Sequence, residues 1–182
     1  MSDAASRDRD RNCLRRLAEG DVAALETIWE AHGDRVFRHA LWVTGRREDA
    51  EDVVQTVFVR LAGMGSDLLG VRQLAPYLGA MVHREAVAVS KRRISGEAQL
   101  PVDVDSLIAT QPDGEADFER RRIATVVAEL PVEQREVVVL HVWGGLTFRE
   151  IGRATGVSTF TAASRYRLAT SRIRRAMTGE SS

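Results

Sequence analysis

Hydrophobic residues recur with helical spacing through the first half of this sequence. Over residues 50–61 they fall three and four positions apart, so they lie on one face of a helix. Similar stripes run over 25–41 and 74–89, and Gly45 is suited to end the first of them. Residues 8–95 are therefore predicted to form a small domain built of helices.

The last third of the sequence also predicts helices. A helix over 118–129 ends before Pro131, which opens a second helix rich in Val and Leu. The pair Gly144-Gly145 then interrupts the helical pattern. We assign these helices and those that follow to a second small domain, residues 117–178. The predicted fold class is all-α, with two helical domains.

A helix-turn-helix pattern occupies the end of this second domain. Thr147 and Glu150 have the spacing of a capping box, which predicts the first turn of a short helix. Gly156 then allows a tight turn, and a longer helix is predicted over 160–177. This arrangement is typical of units that place their second helix in the major groove of DNA. A packed helical hairpin that does not bind DNA is the alternative.

Charge is distributed unevenly, although the chain is neutral as a whole. It has 26 Lys and Arg against 26 Asp and Glu, and a pI of about 6.9, which excludes a histone-like polycation. Residues 97–119 contain seven acids and no Lys or Arg, and Pro101 and Pro112 lie among them. This composition predicts an acidic flexible linker over 96–116, between the two domains.

Residues 148–177 have the opposite charge, with seven arginines against one acid. Clustered arginine on a helical unit is typical of phosphate binding, and a solvated basic face is the alternative. Side chains early in the second helix are expected to face base edges, and the arginines to reach bases or phosphates. The candidate DNA-binding residues of this unit are Ser158, Thr159, Thr161, Ala163, Ser164, Arg165, Arg167 and Arg172.

Two helices of the first domain carry other residues opposite their apolar stripes. On the helix of 50–61, a valine lies beside an acid and an amide, as on a partner-binding face; a solvated acidic face is the alternative. On the helix of 74–89, His83 and Arg84 are predicted to lie away from the apolar face. That helix runs into the basic residues 91–93, which also suit a helix C-terminus.

The remaining residue types argue against several other functions. The four histidines are dispersed without the spacing of paired metal ligands, so we expect no metal and no other cofactor. The single cysteine, Cys13, has no intramolecular disulfide partner, which fits a reducing cytoplasm. Apolar runs are too short to span a bilayer, and the charged character of residues 1–16 argues against a secretory signal.

Two segments together resemble a known family. Residues 45–58, with the sequence GRREDAEDVVQTVF, resemble region 2 of bacterial RNA polymerase sigma factors. Residues 130–137, residues 145–151 and the pair Ser164-Arg165 resemble region 4. Because these two regions stand on either side of an acidic linker, the chain resembles the extracytoplasmic-function (ECF) subfamily of the sigma-70 family.

The resemblance implies partners for each candidate face. The outward face of the region 2 helix would dock on a coiled coil of the largest polymerase subunit, and region 4 would contact the polymerase flap. The residues implied in polymerase binding are Asp49, Asp52, Gln55, Thr56 and Val59. An anti-sigma protein is a further candidate partner.

The resemblance also implies promoter contacts in both domains. The helix after the docking face would bind the minus-ten element and trap unstacked bases, whereas region 4 would read the minus-thirty-five element with the helix from Phe160. The residues implied at the minus-ten element are Tyr77, His83, Arg84, Lys91, Arg92 and Arg93.

This sequence departs from the family pattern at several of these positions. The family often has Trp in place of Tyr77, Arg-Asn in place of His83-Arg84, and Asp in place of Ala88. In region 4, Ala163 stands where the usual residue is Lys, which removes a potential base or phosphate contact. We therefore expect a different promoter specificity.

These observations predict an ECF sigma factor that binds core polymerase and directs promoter-specific initiation, and that is not an enzyme. The main alternative is a helix-turn-helix regulator that does not open promoters, and the acidic region 2 face argues against it. A polymerase-binding module without promoter opening is a second alternative. A metal-dependent hydrolase has only the acids within 48–52 in its favour.

Overall fold

The computed structural model of the protein describes residues 2–94 and 114–178. Within these ranges the regular elements are all helical and no strand occurs, which confirms the all-α fold class. Most of the predicted linker, residues 96–113, lies outside the described residues. Its last three residues, 114–116, begin a helix instead of continuing the linker.

The first helical unit contains four α-helices and one 3₁₀ helix. Their bounds are α1, Ser2–Ala18; α2, Ala24–Thr44; α3, Arg47–Ala62; the 3₁₀ helix, Gly65–Gly70; and α4, Leu74–Ile94. Helices α2, α3 and α4 pack against one another in a three-helix bundle, and α1 lies across α2 and the 3₁₀ helix.

The second unit contains four further helices within the described residues. Their bounds are α5, Gly114–Ala128; α6, Val132–Val142; α7, Phe148–Thr155; and α8, Thr159–Thr178. Helix α8 packs against α5, α6 and α7, so it is the central element of this unit.

Local sequence accounts for the sharp connection between α2 and α3. Gly45 ends α2 with a φ of 72°, a left-handed conformation that glycine adopts without a Cβ penalty, and its N–H donates to the carbonyl of Leu41. The apolar stripe predicted on α3 is buried throughout: Ala50, Val53, Val57 and Leu61 are all inaccessible to solvent. The direction of α3 is therefore fixed by the core, and its opposite face is left outside.

The helix-turn-helix also forms as the pattern predicts. The hydroxyl of Thr147 accepts a bond from the backbone N–H of Glu150, whose carboxylate accepts the Thr147 N–H at 2.8 Å. Gly156 ends α7 with a φ of 75°. A Cβ on Gly152 would lie 2.7 Å from the carbonyl oxygen of Val157, so this glycine permits the close approach of the turn to α7.

The two units pack against each other, which the sequence pattern did not predict. Buried residues of α5, α6 and α8 belong to the same hydrophobic core as those of the first unit. Trp42 of α2 and Trp143, just after α6, lie with ring centroids 5.6 Å apart. Gly79 of α4 lies so close to Gly144 that a Cβ on Gly79 would overlap the Gly144 carbonyl group. The unit interface is therefore tightly packed and partly aromatic.

Candidate functional site

Helix α3 presents the predicted docking residues on one outward face. Asp52 and Gln55 are exposed, Val59 is 67% exposed, and Thr56 is half-buried beside them. Asp49 is half-buried in the first turn of the helix. Since the buried stripe holds the opposite side of α3 in the core, these residues form a rigid face that needs no rearrangement to meet a partner.

An apolar cavity of about 480 Å³ opens beside this face, between α2 and α3. Its walls include Trp29, Phe37 and Phe58. It also borders Glu51 and, on the predicted docking face, Gln55. Trp29 is 48% exposed and meets Phe58 edge to face, with ring centroids 5.2 Å apart. The sequence pattern does not predict this cavity, because its aromatic side chains come from two different helices.

His83 is buried, and the prediction that it lies away from the apolar face is wrong. It is only 6% exposed, since α6 of the second unit covers that side of α4. Its ring stacks on that of His39 with centroids 5.9 Å apart, and its Nε2 lies 3.7 Å from Glu136 Oε1. In this arrangement the ring is inaccessible to a DNA base.

Burial keeps both histidine rings neutral near pH 7. It lowers the pKa of His39 to about 3, helped by the nearby His83 and Arg35, and lowers the pKa of His83 to about 4. Neither ring nitrogen of His39 has a hydrogen-bond partner within the described part of the chain. Protonation of either ring therefore lowers the stability of the folded state.

We expect the protein to lose stability as the pH falls from about 6.5 toward 4. The unfolded chain binds protons at histidine with an ordinary pKa near 6.5, whereas the folded rings resist protonation, so acid favours unfolding. Between pH 7 and pH 5 each ring accounts for roughly 2 kcal/mol of unfolding free energy. Urea unfolding of wild type and His39→Leu at both pH values measures this. Identical pH dependence in the two proteins would contradict the placement of His39.

The other predicted minus-ten residues differ in their surroundings. The Tyr77 hydroxyl, on a half-buried side chain, donates to the sulfur of Met64 at 3.3 Å. Arg84, Lys91 and Arg92 are exposed along α4, and Arg92 lies 3.6 Å from the carboxylate of Glu85. The side chain of the remaining predicted residue, Arg93, lies outside the described part of the chain. The accessible portion of this surface is basic.

Helix α8 carries the predicted helix-turn-helix contacts at its start and along one side. Ser158 caps it by accepting the backbone N–H of Thr161 at 3.0 Å. The most accessible predicted contacts are Ser158, Thr159, Arg167 and Arg172, whereas Thr161, Ala163, Ser164 and Arg165 are half-buried. Phe160 is 79% exposed at the start of this helix, although it is not among the predicted contacts.

Glu136 lies near the buried histidine pair and within electrostatic range of Arg165 on α8. Burial raises the pKa of the Glu136 carboxyl, and the positive charge of Arg165 opposes that rise. Glu136 in turn faces His83 across the unit interface. The Glu136 carboxyl thus lies near His83 and within electrostatic range of Arg165.

Comparison with known families favours a sigma factor over a helix-turn-helix regulator. The model described as Sigma-70 region 2 matches residues 28–91, and the model described as Sigma-70, region 4 matches residues 120–177. The chain belongs to the sigma-70 family. The docking face on α3 lies within the region 2 match, and the helix-turn-helix lies within the region 4 match.

Curated ECF relatives match most of this chain. The ECF RNA polymerase sigma factor SigE of Mycolicibacterium smegmatis is 33% identical over 162 residues, which cover 81% of this chain and 60% of that protein. The RNA polymerase sigma-E factor of Streptomyces avermitilis is 26% identical, with 87% of each chain covered. SigK of Mycobacterium tuberculosis is 27% identical over 163 residues, covering 85% of this chain and 86% of SigK.

Two solved structures illustrate that other proteins share this fold. CnrH, in complex with the cytosolic domain of CnrY, superposes with a TM-score of 0.63 at 20% identity, covering 95% of this chain and 99% of CnrH. RpoE of Bartonella quintana, in complex with the anti-sigma factor NepR, gives a TM-score of 0.60 at 17% identity, covering 88% of this chain and 100% of RpoE.

None of the described helices is both long and apolar enough to cross a membrane.

Proposed function

We propose that this protein is a sigma factor that binds core RNA polymerase reversibly and directs it to a small set of promoters in the cytoplasm. It performs no catalysis of its own, because the polymerase supplies the chemistry of RNA synthesis. The observation that carries the proposal is the presence of two surfaces of different character in one chain: the outward face of α3, and the arginine-bearing helix α8.

The α3 face is the proposed docking site for the coiled coil of the largest polymerase subunit. An exposed acid, an amide and an apolar side chain, Asp52, Gln55 and Val59, provide charge steering together with a patch that is buried on binding. We further propose that the second unit contacts the polymerase flap. Each contact alone is small, so two linked contacts raise the overall affinity.

Helix α8 is the proposed reader of the minus-thirty-five element. Thr159 and Arg167 are exposed at positions that suit base or phosphate contacts in the major groove. Phe160 adds an exposed ring beside them, and an aromatic side chain there suits apolar contact with a thymine methyl group.

Helix α4 is the proposed minus-ten surface, and it requires separation of the two units. Arg84, Lys91 and Arg92 are exposed and suited to hold a DNA backbone. His83 gains access to a base only after α6 and Glu136 move away. We therefore propose that promoter opening uses a more open arrangement of the two units.

An anti-sigma protein is a further proposed partner. Among structurally similar proteins, CnrH is in complex with the cytosolic domain of CnrY, and RpoE is in complex with the anti-sigma factor NepR. The cavity bounded by Trp29, Phe37 and Phe58 borders the docking face, so a protein bound there would compete with polymerase.

Run-off transcription with purified core polymerase tests the proposed function. A promoter is first selected from a library of DNA fragments with randomised upstream elements, and transcripts are then measured with and without this protein. A promoter-dependent transcript supports the proposal. DNA binding without polymerase binding would instead identify a helix-turn-helix regulator, and polymerase binding without an open complex would identify a module that has lost promoter opening.

In the same assay we expect Arg167→Ala to weaken recognition of the minus-thirty-five element by about 1–3 kcal/mol, because one base contact is lost. The loss is confined to templates with the selected element and disappears when that element is scrambled. Arg38→Ala, on α2 of the first unit, is the control and leaves promoter recognition unchanged. Equal effects of the two variants would contradict the assignment of Arg167.

A further inference from the structure

A second cavity, of about 300 Å³, lies where α1, α2 and the start of α4 meet, on the edge of the unit interface. Four arginines line it, against a single acid, Asp10. The arginines are Arg7, Arg11, Arg35 and Arg72. They come from α1, from α2 and from the segment before α4, so the fold collects positive charge from three separate parts of the sequence.

Arg35 is the deepest of these arginines, and one of its nitrogens has no acceptor within the described residues. Its Nη2 atom is buried and has no hydrogen-bond partner within the described residues. Burial lowers the pKa of its guanidinium, and the negative charge of Asp10 only partly opposes this. Asp10 is already engaged at 2.8 Å by Nε2 of His32. Asp10 therefore offsets the charge of Arg35 only in part, and the guanidinium at the cavity wall favours an anion there.

The backbone around the cavity also favours negative charge. Leu74, Ala75 and Pro76 line the wall in the first turn of α4, and Gln73 precedes them, so the cavity lies at the helix end where the dipole is positive. Gly145, in the turn after α6, closes the other side with a φ of 68°. A Cβ at Gly145 would lie at an ordinary 3.6 Å from Arg35 Nη1, so the positive φ, and not crowding, favours glycine in this turn.

We propose that this cavity binds a small molecule that carries a diphosphate or triphosphate group. The guanidinium group matches phosphate oxygens in pairs, and the excess of arginine over acid suits a ligand with several negative charges. The volume lies at the lower end of the range for small-molecule sites. The walls enclose the ligand on several sides, which suits a small anion better than a continuous DNA backbone.

This inference does not depend on the proposed sigma-factor function. The arginines involved lie outside the α3 docking face and outside α8. A failure of polymerase binding would therefore leave the inference intact, and a failure of phosphate binding would leave the proposed function intact.

Calorimetric titration of the full chain with inorganic pyrophosphate, and separately with ATP, tests the proposal. We expect one saturable site for at least one of the two, and at least tenfold weaker binding for Arg35→Gln and for Arg72→Gln. Arg72 is exposed, so its replacement keeps the test valid if the Arg35 variant fails to fold. Arg38→Gln is the matched control, since it removes an arginine of the same helix that pairs with Asp34 and does not line the cavity.

A second measurement checks binding through stability. The thermal unfolding temperature in excess pyrophosphate or ATP, whichever binds, should rise more for wild type and for Arg38→Gln than for Arg72→Gln. The proposal is overturned if neither probe shows saturable binding, or if the control variant loses affinity as much as the cavity variants. It is also overturned if a single-stranded oligonucleotide binds through Arg35 and Arg72 while both small phosphates fail to bind.

Discussion

We expect the double variant Asp52→Arg, Gln55→Ala to lose measurable binding to core polymerase. Both side chains are exposed on α3, and the charge reversal places a cation where the proposed interface requires an anion, at a cost of several kcal/mol. The core is untouched, because the buried stripe of α3 lies on the opposite face, so unfolding free energy changes by less than about 0.5 kcal/mol. Fluorescence anisotropy with labelled protein measures the affinity.

The control for this double variant is Glu129→Arg, which makes the same reversal of charge at an exposed position after α5. It should retain polymerase affinity, and the double variant should retain the DNA affinity of wild type. If the double variant binds polymerase as wild type does, the α3 face is not the docking site. The salt dependence of wild-type binding gives a further check, since screening weakens a charged contact between exposed groups.

Gly79→Ala separates the two helical units. The added Cβ would overlap the Gly144 carbonyl group and would lie 2.8 Å from the Gly144 Cα. These are backbone atoms, so no change of side-chain rotamer relieves the overlap, and the expected cost to the packed interface is about 1–3 kcal/mol. Within α4 itself, alanine favours the helix over glycine by roughly 0.5–1 kcal/mol, so the first unit stays folded.

Small-angle X-ray scattering measures this opening as an increase in the radius of gyration of the variant. Tryptophan fluorescence should shift to the red at the same time, because Trp143 loses its contact with Trp42. Gly63→Ala is the matched control, since the nearest atom to its added Cβ is at an ordinary 3.7 Å. Scattering and fluorescence identical to wild type would show that the contact between Gly79 and Gly144 does not hold the units together.

Separation of the units by Gly79→Ala has consequences for the proposed promoter surface. It removes Glu136 from the neighbourhood of His83 and exposes that side of α4. If promoter opening uses the proposed open arrangement, the balance between closed and open units sets how much of the protein is competent to bind DNA at α4, as for any binding state that is only partly populated.

The helices, the caps and the candidate docking face could be predicted because their determinants are local. The α3 stripe repeats every three or four residues, and the Thr147 and Glu150 capping box lies within one helical turn. Gly45 and Gly156 end their helices in left-handed conformations that glycine favours. The family motif added specificity to this prediction, since the same residues also fit a solvated face or a plain helical hairpin.

Sequence by itself determined the all-α class, the helix-turn-helix and the outward face of α3, because each depends on residues close together in the chain. Only the tertiary structure decided that His83 is buried against Glu136, and that Arg35 and Arg72 line one cavity. These groups are far apart in sequence, and a helix pattern shows which side of a helix is apolar without showing what covers its other sides. Packing between distant elements, which glycines such as Gly79 permit, supplies that information.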